Sequence, residues 1–163
     1  ITDELTGVYN RAFLDDAFEN FFNISKSNNK SLSLFMIDID NFREINESFG
    51  SDVGNAIILE VVRLMRSLIS SHGIIARYGG DEFCVLLPEA GLRKALEIAE
   101  HIRINASRLN FSRYFGNKKI AVTLSIGVNS FPENATDLES FKAGADEALY
   151  MAKTKGRNRV EHA

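Results

Sequence analysis

A chain of 163 residues, 45% hydrophobic and 25% charged, has the length and composition of one globular domain with a full core, which excludes a disordered segment. A net charge of −3 with a pI near 5.7 leaves no footprint for nucleic acid or an anionic membrane surface, so an anionic ligand would have to be met by a cation or a local basic cluster. No apolar run approaches the roughly 18 residues of a membrane span, no signal-peptide pattern opens the chain, and the single cysteine, Cys84, excludes an internal disulfide and a cysteine-based zinc site.

Residues 1–7 read as a short polar lead-in that starts abruptly, as if an upstream segment preceded it. Residues 10–23 place Phe13, Leu14, Ala17, Phe18 and Phe21 at helical spacing, and residues 25–30 form a polar loop. Residues 32–39 are a dense apolar run ending in Asp38-Ile39-Asp40, expected as a buried central strand with acids at its exit. A helical turn is expected over 41–46 and a loop over 47–52. Residues 53–69 carry Ile57, Val61, Leu64, Met65 and Leu68 on one helical face. Two apolar strands flank Gly79-Gly80, the second stopping at Pro88. A helix is predicted over 92–109, an aromatic and polar connector over 111–119, and a strand over 120–130 with Gly127 as a bulge or close-approach point. Asp137 is placed to cap a helix over 138–154, Gly156 to end it, and residues 159–161 to add a short edge strand. The order α, β, α, β-hairpin, α, β, α, β fits an α+β fold with a mainly antiparallel central sheet flanked by helices. No repeat, low-complexity stretch or linker divides it, so a single domain over 1–163 is expected.

Arg77-Tyr78-Gly79-Gly80-Asp81-Glu82-Phe83 concentrates the chemistry. Two glycines between apolar runs predict a tight hairpin with positive φ angles. Asp81 and Glu82 are then either solvated acids at a tip or part of a metal or phosphate site where glycine lets a ligand approach the backbone. Asp38 and Asp40, two apart on a strand, share a face, and a neighbouring hairpin would bring Asp81 near Asp38. Hard oxygens gathered at a sheet edge suit magnesium, against the plainer reading of acids ending a strand at the surface. Lys153 and Arg157 flank Gly156; they suit either the dipole at a helix C-terminus or phosphate oxygens. Cys84 reads as a small core residue, and His72, His101 and His162 have no ligand spacing. No Gly-rich loop followed by Lys-Ser/Thr is present, and no Ser-His-Asp or Cys-His motif.

The sequence resembles the GGDEF-domain family, the diguanylate cyclases of bacterial second-messenger signalling. The likeness runs from Asp3-Glu4-Leu5-Thr6-Gly7 and Asn10-Arg11 through Asp38-Ile39-Asp40, Phe42, Asn46, Gly50 and Gly54. It continues through residues 77–83, Ser125-Ile126-Gly127 and Ala145 to Lys153, and closes on Gly156-Arg157-Asn158-Arg159-Val160. The resemblance implies a fold similar to nucleotide cyclases and polymerase palms (ferredoxin-like). It implies condensation of two GTP into cyclic di-GMP with release of two pyrophosphates, at the two-fold interface of a homodimer. It implies Mg2+, with Mn2+ as a substitute, held by Asp38, the Ile39 carbonyl and Asp81 with help from Glu82. Asp81 would also help to deprotonate the attacking hydroxyl, and Arg43, where the family usually has lysine, would neutralise phosphate charge. Lys153 and Arg157 would hold the β- and γ-phosphates, Asn46 would read guanine, and Phe42, Ser51 and Asn55 complete the expected nucleotide-binding set. An upstream sensory or receiver domain, a cytoplasmic setting with room for a membrane anchor elsewhere in the full-length protein, no direct membrane contact and no nucleic-acid partner follow from the same likeness.

Three positions depart from the family. Asn55 stands where an aspartate usually accepts both donors of guanine's edge; an amide accepts one and offers a donor of its own. Ser51 replaces a histidine. Ser70-Ser71-His72-Gly73 replaces an Arg-x-x-Asp product-binding motif, so no product inhibition is expected there. The alternatives to an active diguanylate cyclase are a GTP-binding regulatory module with little turnover, and a cyclase of relaxed base selectivity making mixed cyclic GMP-AMP.

Overall fold

In the computed structural model, which describes residues 1–118 and 120–163, the chain builds one six-stranded sheet between two helical layers. The strands are β1 (Tyr9–Asn10), β2 (Leu32–Ile39), β3 (Ile74–Arg77), β4 (Glu82–Pro88), β5 (Leu124–Phe131) and β6 (Arg159–His162). The helices are α1 (Arg11–Ser27), α2 (Phe42–Phe49), α3 (Ser51–Leu68), α4 (Leu92–Ser107) and α5 (Leu138–Thr154). Strand order is β1-β3-β4-β2-β5-β6, with β2 antiparallel to both β4 and β5.

Every residue of β2 is buried, because helices cover both faces of the sheet. The two-residue period of the strand then sorts its side chains. Phe35, Ile37 and Ile39 enter a core with Phe42 of α2, Ile57 and Val61 of α3, and Ala99 and Ile102 of α4. Leu32, Leu34 and Met36 enter the opposite core with Leu14 and Phe18 of α1 and Phe141 and Ala145 of α5. Cys84 lies in this second core and is wholly buried, so burial pushes its thiol pKa up and leaves it inert.

Several expectations shift. The outermost pairs, β1 with β3 and β5 with β6, are parallel, so the sheet is mixed. The strand β1 has two residues, too short for any periodicity to reveal it. The first helix runs on to Ser27, past the polar residues at 25–27: Ser25 is buried, while Lys26 and Ser27 face solvent. Where a loop was expected over 47–52, Gly50 alone separates α2 from α3; its φ of 93° makes the elbow in one residue. The strand expected from 120 begins at Leu124, and the helix expected to 109 ends at Ser107. The connector expected over 111–119 contains a 3₁₀ turn at Ser112–Tyr114, and its last residue lies outside the described residues. Asp137 does cap α5, accepting a hydrogen bond from Ser140 N at 2.7 Å.

Gly127 is a close-approach point. A Cβ there would lie 2.2 Å from Leu149 N and 2.4 Å from Ala145 O, so α5 sits directly on the β5 backbone. Gly127→Ala is expected to destabilise the fold by about 1–3 kcal/mol or more, as overpacking against backbone cannot be relieved by a rotamer change. Urea unfolding should show a lowered midpoint at an unchanged slope.

Candidate active site

The register of β2 against β4 sets Asp38 opposite Glu82 and places Asp81 at the neighbouring turn, where Ile39 N donates to Asp81 O at 3.1 Å. Asp38 follows Leu34 and Met36 onto the α5 side of the sheet, and there it meets Lys153 from the last turn of α5 in an ion pair. The Asp81 carboxyl lies within hydrogen-bond reach of Asp38. These groups line a cleft of about 140 Å³ together with Ile39, Phe42, Arg43 and Arg157. The expectation that the hairpin would bring Asp81 to Asp38 therefore holds.

Burial pushes the Asp38 pKa up to about 6, and the Asp81 carboxyl adds to this while Lys153 pulls the other way. Asp38 is 7% exposed, and its Oδ1 is buried with no hydrogen-bond partner among the described residues. An orphaned carboxylate oxygen beside a second carboxyl fits a hard divalent cation. Among the described residues no group of three or more His, Cys, Asp or Glu side chains converges, so a cation here would draw on two carboxyls, backbone and ligand oxygens.

Asp40 borders the same cleft but is turned toward β5. It accepts from Thr123 Oγ1 at 2.7 Å, Ser125 Oγ at 2.6 Å and Asn158 N at 3.0 Å. Both of its oxygens are engaged by three donors, so the paired-acid reading applies to Asp38 with Asp81 and not to Asp38 with Asp40. Glu82 stands beside the cleft with its side chain near Gly79. Arg43 is exposed and ion-paired to Glu47 at 3.1 Å, free to swing toward an anion.

The residues expected to read the base lie at the α2–α3 elbow, outside the cleft lining. Asn46 is half-buried, its Oδ1 without a hydrogen-bond partner among the described residues and pressed against Gly54, where a Cβ would lie 1.9 Å from that oxygen. Phe42 touches the same Gly54 position and also lines the cleft, so the elbow adjoins it through this ring. Ser51 and Asn55 are exposed on the first turns of α3.

Neither Gly79 nor Gly80 takes the left-handed φ that a two-residue hairpin turn requires, a correction to the expected turn chemistry. The tip is instead held by Arg77, whose Nε and Nη2 donate to Gly80 O at 3.1 and 2.7 Å. Arg77 is braced by Asp3, which also accepts from Thr6 N and Oγ1. No spacing in the sequence points to this clamp, because Asp3 and Arg77 are 74 residues apart. Above Gly80 there is open space.

The profile of the family described as "Diguanylate cyclase, GGDEF domain" matches residues 1–159. The chain belongs to the GGDEF family. This GGDEF domain is 36% identical over 160 residues to the response regulator PleD of Caulobacter vibrioides, covering 98% of the chain and 35% of PleD. It is 38% identical over 159 residues to the diguanylate cyclase DosC of Escherichia coli, covering 98% of the chain and 34% of DosC. The chain thus spans about a third of the length of these curated relatives. The solved GGDEF domain of DgcB from Caulobacter crescentus, in complex with c-di-GMP, superposes with a TM-score of 0.91 at 30% identity, covering 99% of this chain and 94% of that one. Among the described residues no helix is long and apolar enough to cross a membrane.

The raised Asp38 pKa makes a prediction for the GGDEF domain without metal. Below pH 3.8 Asp38 is protonated folded or unfolded and costs nothing; between 3.8 and about 6 the unfolded chain loses its proton first, so stability falls, and the penalty is complete above about 6. Asp38→Asn should raise metal-free stability at pH 7 by at most about 3 kcal/mol, less whatever Lys153 loses with its partner, and the gain should vanish below that window. Thermal unfolding across the pH range checks it.

Proposed function

We propose that this chain condenses two GTP into cyclic di-GMP, releasing two pyrophosphates. The observation that carries this reading is the contact of the Asp38 and Asp81 carboxyls in a cleft also lined by Lys153, Arg157 and Arg43, in a domain of the diguanylate cyclase family. Acids to grip a cation and bases to grip phosphates are the two charge types that nucleotidyl transfer from a triphosphate uses. We read the sheet, with its acids at the β2 exit and the β3–β4 tip, as a variant of the nucleotide cyclase and polymerase palm.

In this reading Mg2+, or Mn2+ in its place, is held by Asp38, the Ile39 carbonyl and Asp81, with Glu82 alongside, and when bound neutralises phosphate charge. Lys153 moves from Asp38 to the β- and γ-phosphates, which Arg157 also holds. Arg43 exchanges Glu47 for phosphate oxygen. The open space above Gly80 admits the triphosphate close to the backbone. Asp81 accepts the proton of the attacking ribose 3′-hydroxyl; that oxygen bonds to the α-phosphorus of the other GTP as the bond to pyrophosphate breaks. Each copy holds one GTP, and two copies face each other so that each 3′-hydroxyl attacks across the dimer. As a user of GTP, the domain works in the cytoplasm, under an upstream sensory or receiver segment, as PleD's description as a response regulator suggests.

Incubation with GTP and Mg2+ and mass analysis tests the reading: cyclic di-GMP is expected from the dimeric protein and none from Asp81→Ala. Nucleotide binding without product would favour the regulatory-module alternative. Asn55 favours a second departure, relaxed base selectivity. Asn55→Asp should tighten GTP binding by about one to two powers of ten while ATP gains nothing, given ~1.5–3 kcal/mol for a hydrogen bond to a charged group. Mixed guanine–adenine products from the wild type, lost in Asn55→Asp, would establish the relaxed reading; unchanged GTP preference in competition would overturn it.

A further inference from the structure

After α5 the chain takes three consecutive residues into positive φ: Gly156 at 124°, Arg157 at 64° and Asn158 at 46°. Glycine does this freely, but each non-glycine residue held there costs roughly 1–2 kcal/mol, so the surroundings must impose the turn. They do so from both sides of Arg157. Arg157 N donates to Ala152 O at 2.9 Å, fixing the near end to the helix. The far end is fixed by Asn158, whose N–H donates to Asp40 Oδ2 at 3.0 Å and whose Oδ1 accepts from Arg103 Nη1 at 2.8 Å.

Asp40 is the buried half of this arrangement, 5% exposed and locked to β5 through Thr123 and Ser125. It follows the Asp38-Ile39 exit directly, so it ties the end of β2, the start of β5 and the turn carrying Arg157 into one rigid corner of the cleft. Resting on the reading that Arg157 holds triphosphate oxygens, we infer that Asp40 is a positioning residue: it acts on the nucleotide through Arg157, by fixing the backbone on which that guanidinium stands. Asp40 accepts three hydrogen bonds, two of them from hydroxyls that can also accept, so an asparagine can keep the network whereas an alanine removes every acceptor from Asn158 N. Asp40→Ala therefore releases one side of the turn and lets Arg157 leave the cleft.

The test is the affinity of 3′-deoxy-GTP, which cannot react, measured by calorimetry with Mg2+ on wild type, Asp40→Ala, Arg157→Ala and the double variant. Asp40→Ala should weaken binding about tenfold, as loss of one charge-assisted hydrogen bond does. In the Arg157→Ala background the same change should weaken it less than about twofold, because the group through which it acts is gone. Equal losses in both backgrounds would make Asp40 merely structural and overturn the inference; no binding by the wild type would instead overturn the functional reading. If Asp40→Ala fails to fold, hydrogen exchange on the wild type decides: the amide of Asn158, an exposed residue, should be protected, and free exchange would overturn the inference.

Discussion

Two carboxyls within hydrogen-bond reach of each other, one of them almost wholly buried, are the arrangement on which the rest of the site depends. The antiparallel register of β2 with β4 forces it, since Asp38 lies opposite Glu82 and the turn that precedes Glu82 delivers Asp81. Burial first, and the neighbouring Asp81 carboxyl second, disfavour the charge on Asp38, so a cation beside it is stabilising. Lys153 supplies that charge without metal, and it comes from the helix that packs on the same face of the sheet. In the proposed reading a metal would take over this neutralising role and free Lys153 for the nucleotide.

The remaining elements serve to keep this geometry. Arg77 holds the hairpin tip by its carbonyl and is itself braced by Asp3 at the start of the chain. That brace joins residues 3–6 to the turn that carries Asp81. On the opposite side Asp40 joins β2, β5 and the turn after α5. Catalytic groups on short exits and turns gain precision only through such outer contacts.

Much of this was legible in the sequence. The bounds of β2, the capped helix after Asp137 and the meeting of Asp38 with Asp81 follow from apolar periodicity, a side-chain cap and strand alternation. Less legible was whatever depends on long-range partners. Asp40 reads as the twin of Asp38, and nothing local reveals that Thr123, Ser125 and Asn158 fill its oxygens. Glycines in residues 79–80 read as turn formers, whereas the tip is set by an arginine and the glycines leave space. The single-residue elbow at Gly50 was hidden because polar residues around it read as loop.

The central claim, that Asp38 and Asp81 together grip a divalent cation, is tested most directly by Mn2+ titration followed by electron paramagnetic resonance, with 3′-deoxy-GTP present. The wild type should take up Mn2+ with the nucleotide, and Asp81→Asn should weaken that uptake by about tenfold or more. Equal uptake by the two proteins would contradict the account.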